Sequence, residues 1–193
     1  MSSLPATSLS PSGYLEIERR AEYKSEYFRG EMFAMAGASL RHVQIVSNLV
    51  SELGQQLKKR PCGVYSTGLR LRVSETGLYT YPDLMAICGD VQYADDQKDT
   101  VLNPVFIVEV LSESTRDYDR GRKFQHYRAL PSLKEYLTVA QEEIHAEHWV
   151  RQRDNAWLLT EFGNLGETIE LPLIGCALPL AEIYDKIQWA AGE

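Results

Sequence analysis

The sequence predicts a single α/β domain in the broad α+β sense: a mixed central sheet flanked by helices, with a hairpin before it and an antiparallel extension after it. Three observations lead there. The apolar periodicities run in the order helix, three strands, helix, strand. One block, Asn103 to Leu111, is apolar on both faces except for Glu109, as expected of a doubly covered central strand. At 193 residues and 44% hydrophobic, the chain has the size and composition of one globular domain, and no repeat or linker divides it.

Met1 to Ser12 carries Ser, Pro and Thr without a basic start or a continuous apolar block, so it reads as a flexible tail and not as a secretory signal; the domain is expected over residues 13–193. Gly13 to Lys24 is rich in helix formers. Glu26 to Ala36 reads as two strands turned at Arg29-Gly30. From Ser39, a plausible cap, to about Lys59, the residues Val43, Val46, Val50, Leu53 and Leu57 recur at three and four, which marks a helix stopped by Pro61 and Gly63. Val64 to Val73 alternates like a half-exposed strand, and Tyr81 to Cys88 is a more apolar one. The central strand follows, then a helix from Ser114 to Leu130 closed by Pro131. Strands are expected at Leu133 to Ala140, Ile144 to Val150 and Ala156 to Phe162.

No apolar run approaches the roughly 18–20 residues of a membrane span, so no membrane partner is expected and the reading is cytoplasmic. Cys62, Cys88 and Cys176 are odd in number and widely spaced, which argues against a disulfide framework and fits a reducing compartment. His145 and His148 stand three apart in a strand-like segment and so point to opposite faces, a poor metal pair. The net charge of -7 sits awkwardly with nucleic-acid binding. Its distribution is uneven. Acid gathers in the loop Gly89 to Thr100, whereas Arg116, Arg120, Arg122, Lys123 and Arg128 fall close together.

Two carboxylates stand out because each lies in an otherwise apolar strand. In YPDLMAIC, Asp83 follows a proline, which withholds a ladder donor and favours a strand start or bulge where a side chain is re-aimed. In VFIVEVL, Glu109 is alone among apolar neighbours. A buried carboxylate costs several kcal/mol unless it is paired, protonated or bound to a metal. Two on neighbouring strands repel, and a divalent cation removes the repulsion. Mg²⁺ suits such a pair, with Mn²⁺ as a substitute. The bland alternative is a turn-capping Asp83 and a Glu109 paired inside the core.

YPDLMAI, the block NPVFIVEVLSESTRDYDRGRKFQHYRALPSLKEYLTV and the earlier EYFRGEMFAMAGASLRHVQIVSNL together resemble the Uma family of putative restriction endonucleases, a branch of the PD-(D/E)XK nuclease superfamily. The resemblance covers roughly residues 14 to 185 and is most specific after Glu109. It implies a restriction-endonuclease-like fold and Mg²⁺-dependent hydrolysis of phosphodiester bonds in DNA. Asp83 and Glu109 match the two metal-holding acids. Two residues after Glu109, where the superfamily lysine usually stands, this chain has Leu111; the resemblance implies that Lys123 on the following helix takes its place. On helical spacing Lys123 shares a face with Arg116, Asp119, Tyr127 and Leu130. Its role would be to stabilise phosphate charge or orient the attacking water.

Glu26 and His42 are auxiliary candidates. His42 stands near the start of the long helix, where the superfamily often has an acid, and Glu26 could equally pair with Lys24 or Arg29. Arg70, Arg72 and Arg116 are candidate phosphate contacts. A homodimer is expected, since two sites cut two strands, and the strands carrying Trp149 and Trp157 are candidates for its interface, with core packing as the alternative. The competing reading of the whole chain is a catalytically degenerate nuclease scaffold used in binding or assembly, motivated by Leu111 and the negative charge.

Overall fold

The computed structural model describes residues 8–113 and 116–189. Helix α1 (Pro11–Glu18) starts inside the expected tail: Ser10 accepts from the Gly13 amide and Pro11 occupies the first turn, where its missing N–H costs nothing. Residues 8–12 therefore belong to the domain, and residues 1–7 of the expected tail lie outside the described residues. Strands β1 (Ser25–Phe28) and β2 (Glu31–Ala34) form the expected hairpin. Arg29 and Gly30 both take positive φ, 49° and 92°, as a two-residue turn of that hand requires.

Helix α2 (Leu40–Leu57) is capped by Ser39, whose side chain accepts from the His42 amide. Its buried stripe is Ile45, Val46, Leu49, Leu53 and Leu57, and the expected Val43 is half exposed, so the helix is rolled by part of a turn from the predicted face. The expected strand 64–73 divides into β3 (Cys62–Ser66) and β4 (Arg70–Val73), which join different sheets. The strand expected over Tyr81 to Cys88 begins only at Leu84, as β6 (Leu84–Cys88), and an unexpected short strand, β5 (Leu78–Thr80), precedes it across Tyr81-Pro82-Asp83. Proline cannot donate to a ladder, so the chain changes sheets there.

After the short β7 (Thr100–Val101) comes β8 (Phe106–Leu111), buried at all six positions. The next helix begins as α3 (Arg116–Tyr118), widens into a π-turn over Asp119–Lys123 and ends as α4 (Phe124–Tyr127). The first two residues of the helix expected from Ser114 lie outside the described residues. Strands β9 (Glu135–Ala140), β10 (Ala146–Arg151) and β11 (Trp157–Phe162) follow as read from the sequence. A closing hairpin, β12 (Thr168–Leu171) and β13 (Cys176–Pro179), then leads into the short α5 (Leu180–Ile183).

The expected single sheet is thus two: a six-stranded sheet in the order β11-β10-β9-β8-β6-β3 and a five-stranded one in the order β2-β1-β5-β4-β7. Pairing is antiparallel apart from β8–β9 and β4–β7, which makes both sheets mixed. One face of the large sheet packs on α2, α5 and the closing hairpin. The other packs on the 116–127 helix and on Leu71, Val73 and Leu78 of the small sheet. The α+β class holds, and the N-terminal hairpin proves to be the edge of a sheet of its own.

The cysteine expectation is corrected. Cys62 and Cys88 are direct partners in the β3–β6 register and form a disulfide, leaving Cys176 free and buried. An odd count says nothing about two residues that a register brings face to face. Among the described residues, no helix is long and apolar enough to cross a membrane.

Candidate functional site

Alternation along β8 sends Phe106, Val108 and Val110 toward α2 and Ile107 toward the space between the sheets, and Glu109 stands in phase with Ile107. Glu109 is 2% exposed. Its Oε1 accepts from the Tyr127 hydroxyl at 2.6 Å and faces the Lys123 ammonium at 3.0 Å. The same ammonium lies 3.3 Å from Glu26 and 3.4 Å from Asp119. Three elements thus deliver three carboxylates to one lysine: β8, β1 and the π-turn.

The π-turn makes this possible. Asp119 and Lys123 are its first and last residues and both are buried, with Tyr127 in phase behind them. Extra residues in a helical turn re-aim side chains, and such turns recur at functional sites. The expected mixed face is the one that faces inward, apart from Arg116, which stays partly exposed and lies 3.7 Å from Glu143.

Asp83 reaches the cluster from the sheet end. The register pairs Leu84 with Val108, so Asp83 stands one step beyond, opposite Glu109. Its Oδ2 accepts from the Val110 amide at 2.8 Å and its Oδ1 lies 3.0 Å from His42 Nε2. Burial alone would lower the pKa of His42, but its hydrogen bond to Asp83 and the Asp83 charge outweigh this and hold it above the usual histidine value. The α2 cap that fixes the His42 backbone therefore also aims its ring at the acid.

Glu26, an auxiliary candidate, is placed at the centre of the cluster and not beside Lys24 or Arg29. Besides Lys123 it accepts from Thr80 of β5 and from the Tyr118 hydroxyl. Arg70 and Arg72 are not brought there. They alternate with Leu71, which pairs with Thr80, so they occupy the opposite face of the small sheet, over Tyr79 and Tyr81. Arg70 is spent on Asp99, whose carboxyl is held down to about 2, chiefly by its hydrogen bonds from Arg19. Asp95 and Asp99 of the 89–100 loop are thereby paired with Arg19 and Arg70. Asp119 is the member that sequence reasoning noticed only as a neighbour of Lys123. Its one signal was the four-residue spacing. Trp149 and Trp157 pack on Phe124, as core residues do.

The electrostatics of the cluster are lopsided. Glu26, Asp83, Glu109 and Asp119 face one lysine and one histidine, so even with His42 protonated two negative charges remain in excess. Burial first, and then the charges of Asp83 and Asp119, push the Glu109 pKa well above the usual carboxylate value against the pull of Lys123. A divalent cation supplies the missing charge, and an all-oxygen set of carboxylates is the donor chemistry of Mg²⁺. Their donor chemistry suits such an ion, while the group of three close ligand atoms found among the described residues lies elsewhere, at His145, Glu147 and Glu161. An open groove lined by Arg128, Lys134, Arg151, Asn155 and Trp157 lies on the outward side of α4, away from the cluster.

Comparison with known proteins agrees with this architecture. Residues 11–181 match the model of the Uma2 family, described as "Putative restriction endonuclease". Two relatives come from Synechocystis sp. (strain ATCC 27184 / PCC 6803 / Kazusa). The uncharacterized protein sll1609 is 37% identical over 163 residues, 84% of this chain and 91% of that one. The uncharacterized protein slr1290 is 34% identical over 184 residues, 94% of each chain. The crystal structure of a "putative nuclease belonging to DUF820" from Anabaena variabilis ATCC 29413 superposes with a TM-score of 0.75 at 15% identity, covering 92% of this chain and 98% of the other. At that identity the likeness concerns the fold.

Proposed function

Because this chain belongs to the Uma2 family of restriction-endonuclease-like proteins, we propose that it is a metal-dependent endonuclease that hydrolyses phosphodiester bonds in DNA, with Asp83 and Glu109 holding Mg²⁺ or Mn²⁺. The observation that carries this reading is the charge surplus of the buried cluster around Lys123.

When bound, the cation withdraws charge from the scissile phosphate and acidifies a nearby water. The rest falls to the protein. The Val110 amide and His42 fix the two oxygens of Asp83, and Tyr127 and Lys123 fix Glu109, so neither carboxylate has to be ordered during the reaction. In this reading Lys123, at hydrogen-bond distance from Glu109, would offset the charge that grows on the phosphate oxygens. The water oxygen forms a new bond to phosphorus, the ester P–O bond breaks, and the leaving oxygen takes up a proton. Leu111 does not prevent this, because the helix returns an ammonium to the strand from outside it. Cutting both strands takes two such sites, which a two-fold pair of chains supplies.

One observation favours a second reading. The ammonium already lies among Glu26, Glu109 and Asp119, so a scaffold that had lost its metal would satisfy these acids in the same way. Incubation of plasmid DNA with the purified chain and Mg²⁺, Mn²⁺ or a chelator separates the two. Cleavage that needs the ion and disappears in Glu109→Gln supports the nuclease. A folded chain that leaves DNA intact with every ion supports the scaffold.

A further inference from the structure

A second group of metal-ligating side chains lies on the same face of the large sheet as Glu109. The register sets Glu109 opposite Thr138, Thr138 opposite Glu147, and Glu147 opposite Glu161, so one row of side chains crosses β8, β9, β10 and β11. With neighbouring strands about 4.8 Å apart, Glu147 stands two strands and about 10 Å from Glu109, too far to share an ion with it. At the far end of the row, His145 Nε2 is 3.8 Å from an Oε1 of Glu147 and 3.8 Å from an Oε1 of Glu161. The three donor atoms lie within 4.8 Å of one another.

These separations exceed a hydrogen bond, so the donors face one another without bonding. Two glutamates directly opposite on antiparallel strands repel, and this pair is kept at the mouth of one imidazole. Two of the three ligands are also held in place from behind. Glu147 is buried, and its other oxygen is taken by Arg120 at 3.0 Å and Thr138 at 3.2 Å, which leaves Oε1 aimed at the group. The His145 backbone is pinned on both sides: its amide donates to the Tyr184 hydroxyl, and its carbonyl accepts from that hydroxyl and from the Ala140 amide. Partners of this kind orient the ligands in protein metal sites.

We propose that His145, Glu147 and Glu161 form a second divalent-metal site, selective for a late first-row ion such as Zn²⁺ and separate from the Mg²⁺ position between Asp83 and Glu109. One imidazole and two carboxylates suit zinc, with a fourth position open to solvent, whereas Mg²⁺ prefers oxygen alone. Closing donors from 3.8 Å to the roughly 3.3 Å of a tetrahedral ion with bonds near 2.0 Å is a small movement, and the exposed Glu161 side chain can supply it. Arg120, which holds Glu147, belongs to the π-turn that carries Lys123, so the second ion shares an anchor with the segment that completes the first cluster.

The test uses the full chain in saturating Mg²⁺, titrated with Co²⁺ as a visible stand-in for Zn²⁺. One equivalent of Co²⁺ is expected to give tetrahedral absorption bands that Zn²⁺ abolishes. Affinity should fall at least tenfold in both His145→Ala and Glu161→Gln and stay unchanged in Glu109→Gln. Glu161 is exposed on the edge strand, so its isosteric change leaves the fold intact, as matched melting of the metal-free proteins would show. No uptake of Co²⁺, or uptake that ignores His145 and Glu161 but depends on Glu109, overturns the proposal. Because the readout is binding, an absence of DNA cleavage would bear on the first site alone.

Discussion

Glu109 and Glu135 are buried glutamates on neighbouring strands of one sheet, 2% and 0% exposed. Glu135 has a balanced environment: His148 lies 2.9 Å from one oxygen and the Leu173 amide donates to the other, so one acid meets one base and one donor. Glu109 shares its single ammonium with Glu26 and Asp119 and faces Asp83 besides. Burial is common to both. What separates a candidate catalytic carboxylate from a structural one is the unbalanced charge around it, and that is a property of the tertiary structure.

The comparison breaks if the two residues respond alike. Asp83→Ala and Glu109→Ala should each lower DNA cleavage by about 10³-fold or more, the several kcal/mol that a correctly held ion contributes to the transition state. Glu135→Ala should behave in the opposite way. Leaving His148 buried beside an empty site costs about 3 kcal/mol in chemical denaturation, while cleavage per folded molecule stays near wild type. A loss of turnover in folded Glu135→Ala would merge the two classes.

Lys123→Met sharpens the contrast. Cleavage should fall about 10²-fold, the usual effect of removing one transition-state donor. The metal-free protein should melt at a lower temperature, because three carboxylates lose their shared cation, and Mg²⁺ should recover part of that loss. If Mg²⁺ gives the variant no protection in a melting experiment, the ion does not bind beside these acids.

Smaller effects follow from protonation. The folded pKa of Glu109 lies above its unfolded value, so its protonation stabilises the metal-free fold fully below about pH 4.5, and that stability is lost as pH rises through the raised value. At pH 8 Glu109→Gln should therefore be more stable than the metal-free wild type, and the gap should close as pH falls. Equal stability of the two proteins across that range would show that Glu109 is as well satisfied as Glu135. His42, also raised, contributes stability that is complete below about pH 6.5 and fades as pH climbs through its folded value. His42→Asn should remove about 1 kcal/mol at pH 6 and less at pH 9, as read by urea titration at both pH values.

Much of the fold was legible because its signals are local. Arg29-Gly30 announced a hairpin, Ser39 a helix start, and the apolar run before Glu109 a doubly covered strand. What was missed depends on pairing between distant segments. Residues 64–73 alternate as one strand would, yet the chain turns at Thr67-Gly68 and enters a second sheet, and β7 is only two residues long. The Cys62–Cys88 bond needed the β3–β6 register, and the π-turn has no local signature beyond Gly121. Within the site, Asp83 and Glu109 were legible as lone acids in apolar strands, and Lys123 came from the motif resemblance. Glu26 and Asp119 became central only once strand and helix were packed together.

Diffraction from crystals soaked in Mn²⁺, with data collected at the manganese absorption edge, tests the central claim most directly. An anomalous peak about 2.2 Å from carboxylate oxygens of both Asp83 and Glu109, absent from crystals of Glu109→Gln, is the predicted result. A map with no peak between those two acids, or with manganese only beside His145, Glu147 and Glu161, would contradict it.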